Sequence, residues 1–204
     1  MTYFPMYTNL TRQRVLILGG GIIASHKAKI MLNFDAEITA VSPRFCPEME
    51  NLSSVRRIYS VWNESFLQET DILICASSDH TVNLEAARAA RSMRIPVNVV
   101  DNAQASSFIF PALIHEDDLV ISISTSGASP SAAQWLKKKI RELVPSHFGP
   151  MLSDLKALRP EVLHRIPQES SRSRCFKELF NLYMEQKNPD RKSIETLIEK
   201  WEKS

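Results

Sequence analysis

An apolar run that leads directly into three glycines constrains this chain more than any other stretch. Val15 to Leu18 are apolar at every position, which is typical of a strand buried on both faces of a sheet. Three consecutive glycines follow, and apolar residues then recur with helical spacing to about Asn33. The sequence therefore predicts a strand, a tight turn and a helix in direct succession.

The turn has the spacing of a dinucleotide-binding motif. Gly19, Gly21 and Ala24 fit the pattern G-x-G-x-x-G/A, in which the first glycine allows the turn and the second lets a pyrophosphate approach the backbone. The N–H groups at the helix N-terminus then face the phosphates. A glycine-rich turn that binds nothing is the competing interpretation, but the flanking strand and helix favour a cofactor site. The expected contacts come from Gly19, Gly20, Gly21, Ile22, Ile23 and Ala24.

The chain as far as residue 107 continues to alternate between strands and helices. The predicted strands cover residues 38–41, 57–61, 71–76 and 96–100, with a helix over 81–93. This order favours a doubly wound, parallel α/β sheet of the Rossmann type, with ligands at the carboxyl ends of the strands. The helix after the glycines ends without a glycine, so a residue within 33–36 must take the left-handed conformation.

The pattern changes after residue 107. Residues 108–114 and 119–124 predict a hairpin, and Ser129 and Pro130 predict the start of a helix. The apolar stripe expected to be buried on that helix consists of Ala132, Trp135, Leu136, Ile140 and Leu143. From residue 149 the chain is predicted helical, with breaks near prolines 160, 167 and 189. We therefore divide it into a dinucleotide-binding domain (1–107), a hairpin-and-helix dimerisation segment (108–146) and a C-terminal helical region (147–204).

Composition excludes several classes of function. A net charge of +2 over 204 residues gives no electrostatic case for binding nucleic acid, and no apolar run is long enough to span a membrane. The three cysteines lack metal or redox spacing and are expected to be free thiols, and the five histidines show no ligand spacing. Without a signal-peptide pattern the expected location is cytoplasmic. The apolar residues 3–7 are expected to pack on the first strand.

Several segments, in one order and at one spacing, resemble the precorrin-2 dehydrogenase family, the NAD-dependent module of siroheme synthases. The most specific are Phe-Ile-Phe-Pro at 108–111 and Ser-Thr-Ser-Gly-Ala-Ser-Pro at 124–130. Others are residues 3–6, 15–24, 27–28, 76–79, 82–83 and 97–101. The resemblance implies NAD⁺-dependent oxidation of precorrin-2 to sirohydrochlorin, on the route to siroheme or cobalamin. It also implies a homodimer built by the hairpin and the following helix, and some members insert Fe²⁺ or Co²⁺ as well.

The resemblance also assigns a catalytic residue. It places the family's catalytic Asp at Asp101, where a carboxylate can accept the proton released with the hydride. From the residues alone, an Asp that bonds its own turn is the alternative. Two positions depart from the family, because His26 stands where Arg is common and Asp35 where Gly is usual.

The cofactor is expected to be NAD. Ser42, Pro43 and Arg44 follow the second strand, where a conventional site has an acid for the ribose hydroxyl. By that rule alone Arg44 would favour NADP, whereas the resemblance implies NAD. In a third interpretation Arg44 is a solvated loop residue with no role in binding. Ser77, after the fourth strand, is the remaining predicted cofactor contact.

Polar loop residues suit an acidic tetrapyrrole. Hydroxyl and backbone donors that could hold the carboxylates of precorrin-2 come from Asn102, Ser124, Thr125, Ser126 and Gly127, although simple capping by Ser129 explains most of that loop equally well. The competing function is a nucleotide-sensing Rossmann module that regulates a partner through its helical tail. Such a module would need neither Asp101 nor the Ser-Thr-Ser-Gly loop.

Overall fold

Five parallel strands form the centre of the first half of the chain. The computed structural model describes residues 3–203, so the outer ends of the first and last predicted segments, residues 1, 2 and 204, lie outside it. The strands are β1 (Arg14–Leu18), β2 (Glu37–Ser42), β3 (Val55–Tyr59), β4 (Ile72–Cys75) and β5 (Val97–Val99). Their order in the sheet is β3-β2-β1-β4-β5, and every pairing is parallel. The predicted doubly wound α/β sheet is confirmed.

The apolar run of β1, residues 15–18, is explained by helices on both faces of the sheet. Val15 and Ile17 join a core cluster with residues of α1 (Ile22–Leu32) and the short α2 (Pro47–Glu50). Leu16 and Leu18 join a second cluster with residues of α3 (His80–Ser92) and a 3₁₀ helix (Glu64–Glu69). Successive side chains of a strand point to opposite faces, so a strand covered on both faces must be apolar at every position.

The end of α1 follows the prediction made for a helix without a terminal glycine. Asp35 takes the left-handed conformation, with φ of 58°. Its carbonyl accepts a hydrogen bond from the N–H of Arg12 at 3.0 Å, which ties the turn to the segment before β1. The family that the sequence resembles usually has Gly at this position. After Gly, Asp is one of the residues that best tolerate this conformation.

The chain divides into two compact units, Met1–Phe110 and Pro111–Ser204. The second begins with an antiparallel hairpin of β6 (Ala112–Glu116) and β7 (Leu119–Ile123). The prediction that this first strand starts at residue 108 is wrong. The N–H of Ser107 donates to Val97 and the Asn98 amide donates to the carbonyl of Phe108, so this stretch is tied to β5 instead.

Four helices complete the second unit: α4 (Pro130–Leu143), α5 (Phe148–Arg165), α6 (Glu169–Gln186) and α7 (Arg191–Glu202). The last three share a core that includes Met151, Val162, Leu179 and Ile198. The predicted break near Pro160 is wrong, because α5 runs through it. Pro160 is exposed, and the buried Leu158 and Val162 anchor the helix on either side of it.

Ion pairs of Arg165 and Arg191 link α5 to α7. Arg165 forms ion pairs with Glu161 of its own helix and with Glu195 and Glu202 of α7. Arg191 also pairs with Glu161 and Glu195. The carboxylates hold the pKa of Arg165 above its usual value, the Glu202 hydrogen bond having the largest effect. Because several charges share partners, this network fixes the register of α5 against α7 better than one exposed pair would.

Two expectations about burial are wrong. Of the stripe expected to be buried on α4, Trp135 is 62% and Leu143 is 80% exposed; Ala132 and Leu136 are also exposed and Ile140 is half-buried. The helix packs on the hairpin through another face, which buries Ala133. At the N-terminus Phe4 and Met6 are exposed, because both faces of β1 are already covered by α1 and α3.

A salt bridge at the amino ends of β1 and β4 makes the stability of the first unit depend on pH. Asp71 accepts hydrogen bonds from the side chain of Arg14 at 2.9 and 3.1 Å and from its backbone N–H at 2.8 Å. The Arg14 side chain, and then its N–H, hold the pKa of Asp71 below the ordinary 3.8. A carboxyl group with a lowered pKa stabilises the fold above its unfolded-state pKa, and this contribution is lost as pH falls.

We therefore predict that Asp71→Asn lowers the melting temperature by a few degrees at pH 7. The difference from wild type should shrink as pH falls below the ordinary carboxyl pKa of 3.8, and disappear once the carboxyl is protonated in the folded protein too. Melting curves followed by circular dichroism across this range measure the effect. A difference that stays constant with pH would contradict the ionic origin of the stabilisation.

Candidate active site

Three of the predicted cofactor loops meet at the carboxyl edge of the parallel sheet. Backbone hydrogen bonds connect them: Gly19 donates to Val41 at 2.9 Å, Ala76 to Leu18 at 2.7 Å and Val100 to Cys75 at 2.9 Å. The loops after β1, β2, β4 and β5 therefore lie side by side. This is the edge at which the strand order reverses around β1, and ligands of open α/β sheets bind at such an edge.

The three glycines of the turn are required for different reasons. Gly19 has a φ of +133°, and a Cβ there would lie 2.4 Å from the carbonyl oxygen of Ala76. A Cβ on Gly20 would lie 2.1 Å from the carbonyl oxygen of Arg44 and 2.8 Å from the Ser42 hydroxyl. A Cβ on Gly21 would meet no atom within 4 Å. The first two glycines thus allow the loops to pack together, while Gly21 borders open space into which a ligand can come close to the backbone.

The helix that starts at this turn presents uncapped amides. Gly21 is the N-cap of α1 and offers no side-chain acceptor to the first turn. By contrast, Oδ1 of Asp79 accepts hydrogen bonds from the N–H groups of Thr81 and Val82 at the start of α3. The first N–H groups of a helix have no partner within the helix, so those of α1 are available to an anion. Ile22 and Ile23 are exposed beside them, and Ala24 is fully buried.

The loop after β4 is held by a residue to which the sequence interpretation gave no role. Asn83 in α3 is only 2% exposed. Its Oδ1 accepts from the N–H of Ser77 at 3.2 Å, and its Nδ2 donates to the carbonyl of Ser77 at 2.8 Å. The Ser77 hydroxyl accepts from the N–H of Asp79 at 3.1 Å. Asn83 therefore positions Ser77, and with it the neighbouring Ala76 against Gly19; its place in the resembling Val-Asn pair was the only signal.

The loop after β2 carries no acid. The Ser42 hydroxyl accepts from the N–H of Arg44 at 3.4 Å, and Pro43 and Arg44 are exposed. Within residues 3–203 the Arg44 guanidinium forms no ion pair, so it is available to a ligand. Its backbone packs on Gly20, which places Arg44 next to the glycine turn. This loop thus offers no carboxylate to a ribose hydroxyl, and its one charged side chain is a cation.

Asp101 lies just beyond β5 at the same edge. It is exposed and takes the left-handed conformation, with φ of 59°. The hydrogen bonds that fix this loop come from its neighbours instead. Oδ1 of Asn102 accepts from the N–H of Ala105 at 3.0 Å, and the buried Ser106 hydroxyl contacts Val99 and Asn102. Among the residues that the structure describes, no hydrogen bond engages the Asp101 carboxylate, so it is free to act on a ligand.

The other predicted substrate residues lie in the second unit, in the loop before α4. The Ser124 hydroxyl accepts from the N–H of Ser126, and the Thr125 hydroxyl exchanges hydrogen bonds with the backbone of Ser129. The Ser129 side chain caps α4 through Ala132, as expected. Ser126 and Gly127 have positive φ, and a Cβ on Gly127 would meet no atom within 4 Å. The hydroxyls of this loop thus serve its own structure, and Gly127 borders open space.

Three further features of the described part of the chain concern metal binding, thiol chemistry and membrane insertion. Residues 3–203 contain no group of three or more His, Cys, Asp and Glu that could hold a metal ion. All three cysteines are free thiols, and burial raises the pKa of Cys75 to about 12, which keeps it protonated. No helix in this range is long and apolar enough to cross a membrane.

Comparison with known proteins identifies the family of the first half of the chain. A family model described as "Putative NAD(P)-binding" matches residues 6–112. The chain belongs to this NAD(P)-binding family. The matched region covers all five parallel strands and every residue of the glycine turn.

Similar curated proteins are siroheme synthases. One from Pseudoalteromonas translucida is 32% identical over 89% of this chain, and one from Nitrosomonas europaea is 34% identical over 84% of it. The chain spans only 39% and 37% of the lengths of these relatives. The solved structure of SirC, precorrin-2 dehydrogenase, covers 99% of the chain with a TM-score of 0.75 and 22% identity. That similarity supports the fold of the chain.

The open space at Gly21 yields a test of the cofactor site. We predict that Gly21→Leu folds normally, because the new side chain meets no protein atom, but loses at least about tenfold in NAD⁺ affinity by filling the place of the pyrophosphate. Calorimetric titration with NAD⁺ and a melting curve measure the two effects. Gly20→Ala is the contrasting variant, since its Cβ clashes with Arg44 and should reduce stability. Unchanged NAD⁺ affinity in folded Gly21→Leu would show that this turn does not bind the cofactor.

Proposed function

We propose that this chain is a precorrin-2 dehydrogenase, which oxidises precorrin-2 to sirohydrochlorin with NAD⁺. The observation that carries the proposal is the presence, at one sheet edge, of the uncapped helix N-terminus beside Gly21 and the unengaged carboxylate of Asp101. The siroheme synthases that match most of the chain, and the fold shared with SirC, give the substrate class. A module that only senses a nucleotide would have no use for the carboxylate.

The chain's own residues account for binding and for proton removal. The amides at the start of α1 hold the pyrophosphate, and the close packing of Gly19 and Gly20 keeps the neighbouring loops clear of it. The bound nicotinamide supplies the hydride acceptor. Dehydrogenation releases a proton together with the hydride, and the Asp101 carboxylate accepts that proton. Asn102 and Ser106 fix the loop that presents Asp101.

NAD⁺ is the proposed acceptor because the family resemblance implies it. The loop after β2 offers no acid for a ribose hydroxyl, and Arg44 can accommodate a 2′-phosphate. Both cofactors therefore belong in the decisive assay, in which purified protein is mixed with precorrin-2 and either NAD⁺ or NADP⁺. Absorbance follows the formation of sirohydrochlorin, and parallel reactions with Fe²⁺ or Co²⁺ separate oxidation from metal insertion. Binding of NAD⁺ without turnover would favour the sensor function.

Asp101→Asn is the sharpest variant for the chemistry. Asn tolerates the left-handed conformation of this position and keeps the side-chain volume, but it cannot accept the proton. We predict normal folding, unchanged NAD⁺ affinity and a turnover about 10²- to 10⁴-fold slower. Steady-state kinetics with precorrin-2 measure the loss. Turnover like that of wild type would exclude Asp101 as the proton acceptor, and loss of folding would assign it a structural role.

We further propose that the protein forms a homodimer through the exposed stripe of α4. Trp135 and Leu143 are large apolar residues that the described part of the chain leaves uncovered, and an exposed apolar patch of this kind marks an interaction surface. A second copy, with the same stripe of α4 against its own, would cover these side chains.

This proposal predicts a dimer for the wild type at micromolar concentration. Trp135→Glu places a charge in the stripe and should give a monomer, whereas Gln134→Glu adds the same charge at the adjacent exposed position and should remain a dimer. Size-exclusion chromatography with light scattering gives the mass of each variant. A monomeric wild type, or a dimeric Trp135→Glu, would contradict the assignment of this surface.

A further inference from the structure

The ammonium of Lys27 is attracted by the carboxylate of Asp101, although the two residues come from different elements. It is in the second turn of α1, and side chains of a helix point back toward its N-terminus. The N-terminus of α1 lies at the carboxyl edge of the sheet, so the Lys27 side chain extends toward that edge. Its Nζ atom lies 3.8 Å from the centroid of the Phe110 ring. The ammonium group is therefore held in a defined place beside the candidate site.

This ammonium is half-buried and has unused donors. Within the described residues it forms no ion pair; it lies over the Phe110 ring and is attracted by the charge of Asp101. Burial lowers the pKa of Lys27, while attraction to Asp101 opposes that lowering and favours the charged form. An aromatic ring attracts a cation but accepts no conventional hydrogen bond from its N–H groups. A partly desolvated cation with free donors is suited to binding an anion.

We propose that Lys27 binds a carboxylate of the tetrapyrrole substrate and so positions the ring against Asp101. This inference rests on the proposed function. The two charged residues have different roles. Lys27 binds an acidic substituent of the substrate, and Asp101 faces the ring atom that loses a proton. In this proposal Lys27 binds the substrate, and Asp101 takes part in the reaction.

The position of the ammonium favours a carboxylate of the substrate over a phosphate of the cofactor. The uncapped amides and open space for a pyrophosphate are at Gly21, at the end of β1. Asp101 follows β5, and β4 separates β5 from β1 in the sheet. The Lys27 ammonium lies over the ring of Phe110, in the segment that follows β5, and Asp101 of the same segment attracts it. The competing structural role for Lys27 is only to cover Phe110 and to balance the charge of Asp101.

Three variants separate these roles. Lys27→Met keeps an unbranched side chain over Phe110 and removes the charge, and Lys27→Arg restores the charge. Lys29→Met is the matched control, because Lys29 is an exposed lysine of the same helix. Uroporphyrin, a stable polycarboxylate porphyrin, serves as the binding probe and is titrated by fluorescence. In parallel, the KM for precorrin-2 and the dissociation constant of NAD⁺ are measured.

We expect Lys27→Met to weaken uroporphyrin binding and to raise the KM for precorrin-2 by about 10- to 100-fold, the effect of losing a hydrogen-bonded charge. Its NAD⁺ affinity and melting temperature should stay near those of wild type. Lys27→Arg should recover most of the binding, and Lys29→Met should behave as wild type. This combination would support the inference, because a purely structural lysine would not change substrate affinity at constant stability.

Other outcomes overturn it. Unchanged porphyrin affinity in Lys27→Met would leave Lys27 with its structural role, and lost NAD⁺ affinity with unchanged porphyrin affinity would assign the anion to the cofactor. An equal loss in Lys29→Met would show non-specific attraction by the basic helix. Failure of the proposed function would look different from failure of this inference. The wild type would then bind uroporphyrin through Lys27 but would produce no sirohydrochlorin from precorrin-2.

Discussion

The contact between Gly19 and the end of β4 is the constraint on which the candidate site depends. With φ of +133° and the Ala76 carbonyl in the place of a side chain, Gly19 lets the chain turn sharply from β1 into α1. That turn directs the first amides of α1 toward the carboxyl edge, where loops from three neighbouring strands also end. A larger residue at Gly19 would separate β1 from β4, so the same contact supports both the sheet and the nucleotide site.

The carboxyl edge of the sheet combines groups of opposite character. Uncapped amides of α1 attract negative charge, while the carboxylate of Asp101 has no hydrogen-bond partner among residues 3–203. These groups do not neutralise each other because they lie at the ends of β1 and β5, with β4 between them. An oxidation by hydride transfer requires this separation: one part of the site binds a charged cofactor, and another accepts a proton.

Several elements of both units could be predicted from the sequence because their signals are local. The apolar run of β1, the glycine spacing and the cap at Ser129 each depend on a few adjacent residues, and the structure confirms the elements that they indicated. Burial on α4 could not be predicted, because an apolar stripe does not say whether the same chain or another one covers it. The helix through Pro160 was missed because buried neighbours outweigh one lost hydrogen bond. Asn83 and Lys27 act across elements, and only the fold brings their partners together.

The side-chain amide of Asn83 makes the hydrogen bonds that a neighbouring strand residue would make. It offers one acceptor and one donor to the backbone of Ser77, as a neighbouring strand residue would, just where the regular pairing of β4 ends. Aspartate would supply no donor, glutamine would be one methylene too long, and an apolar residue would leave two backbone groups unpaired. The loop after β4 is therefore constrained from another element: the side chains of Ser77 and its neighbours can change, but the path of their backbone across the sheet edge depends on the amide of Asn83.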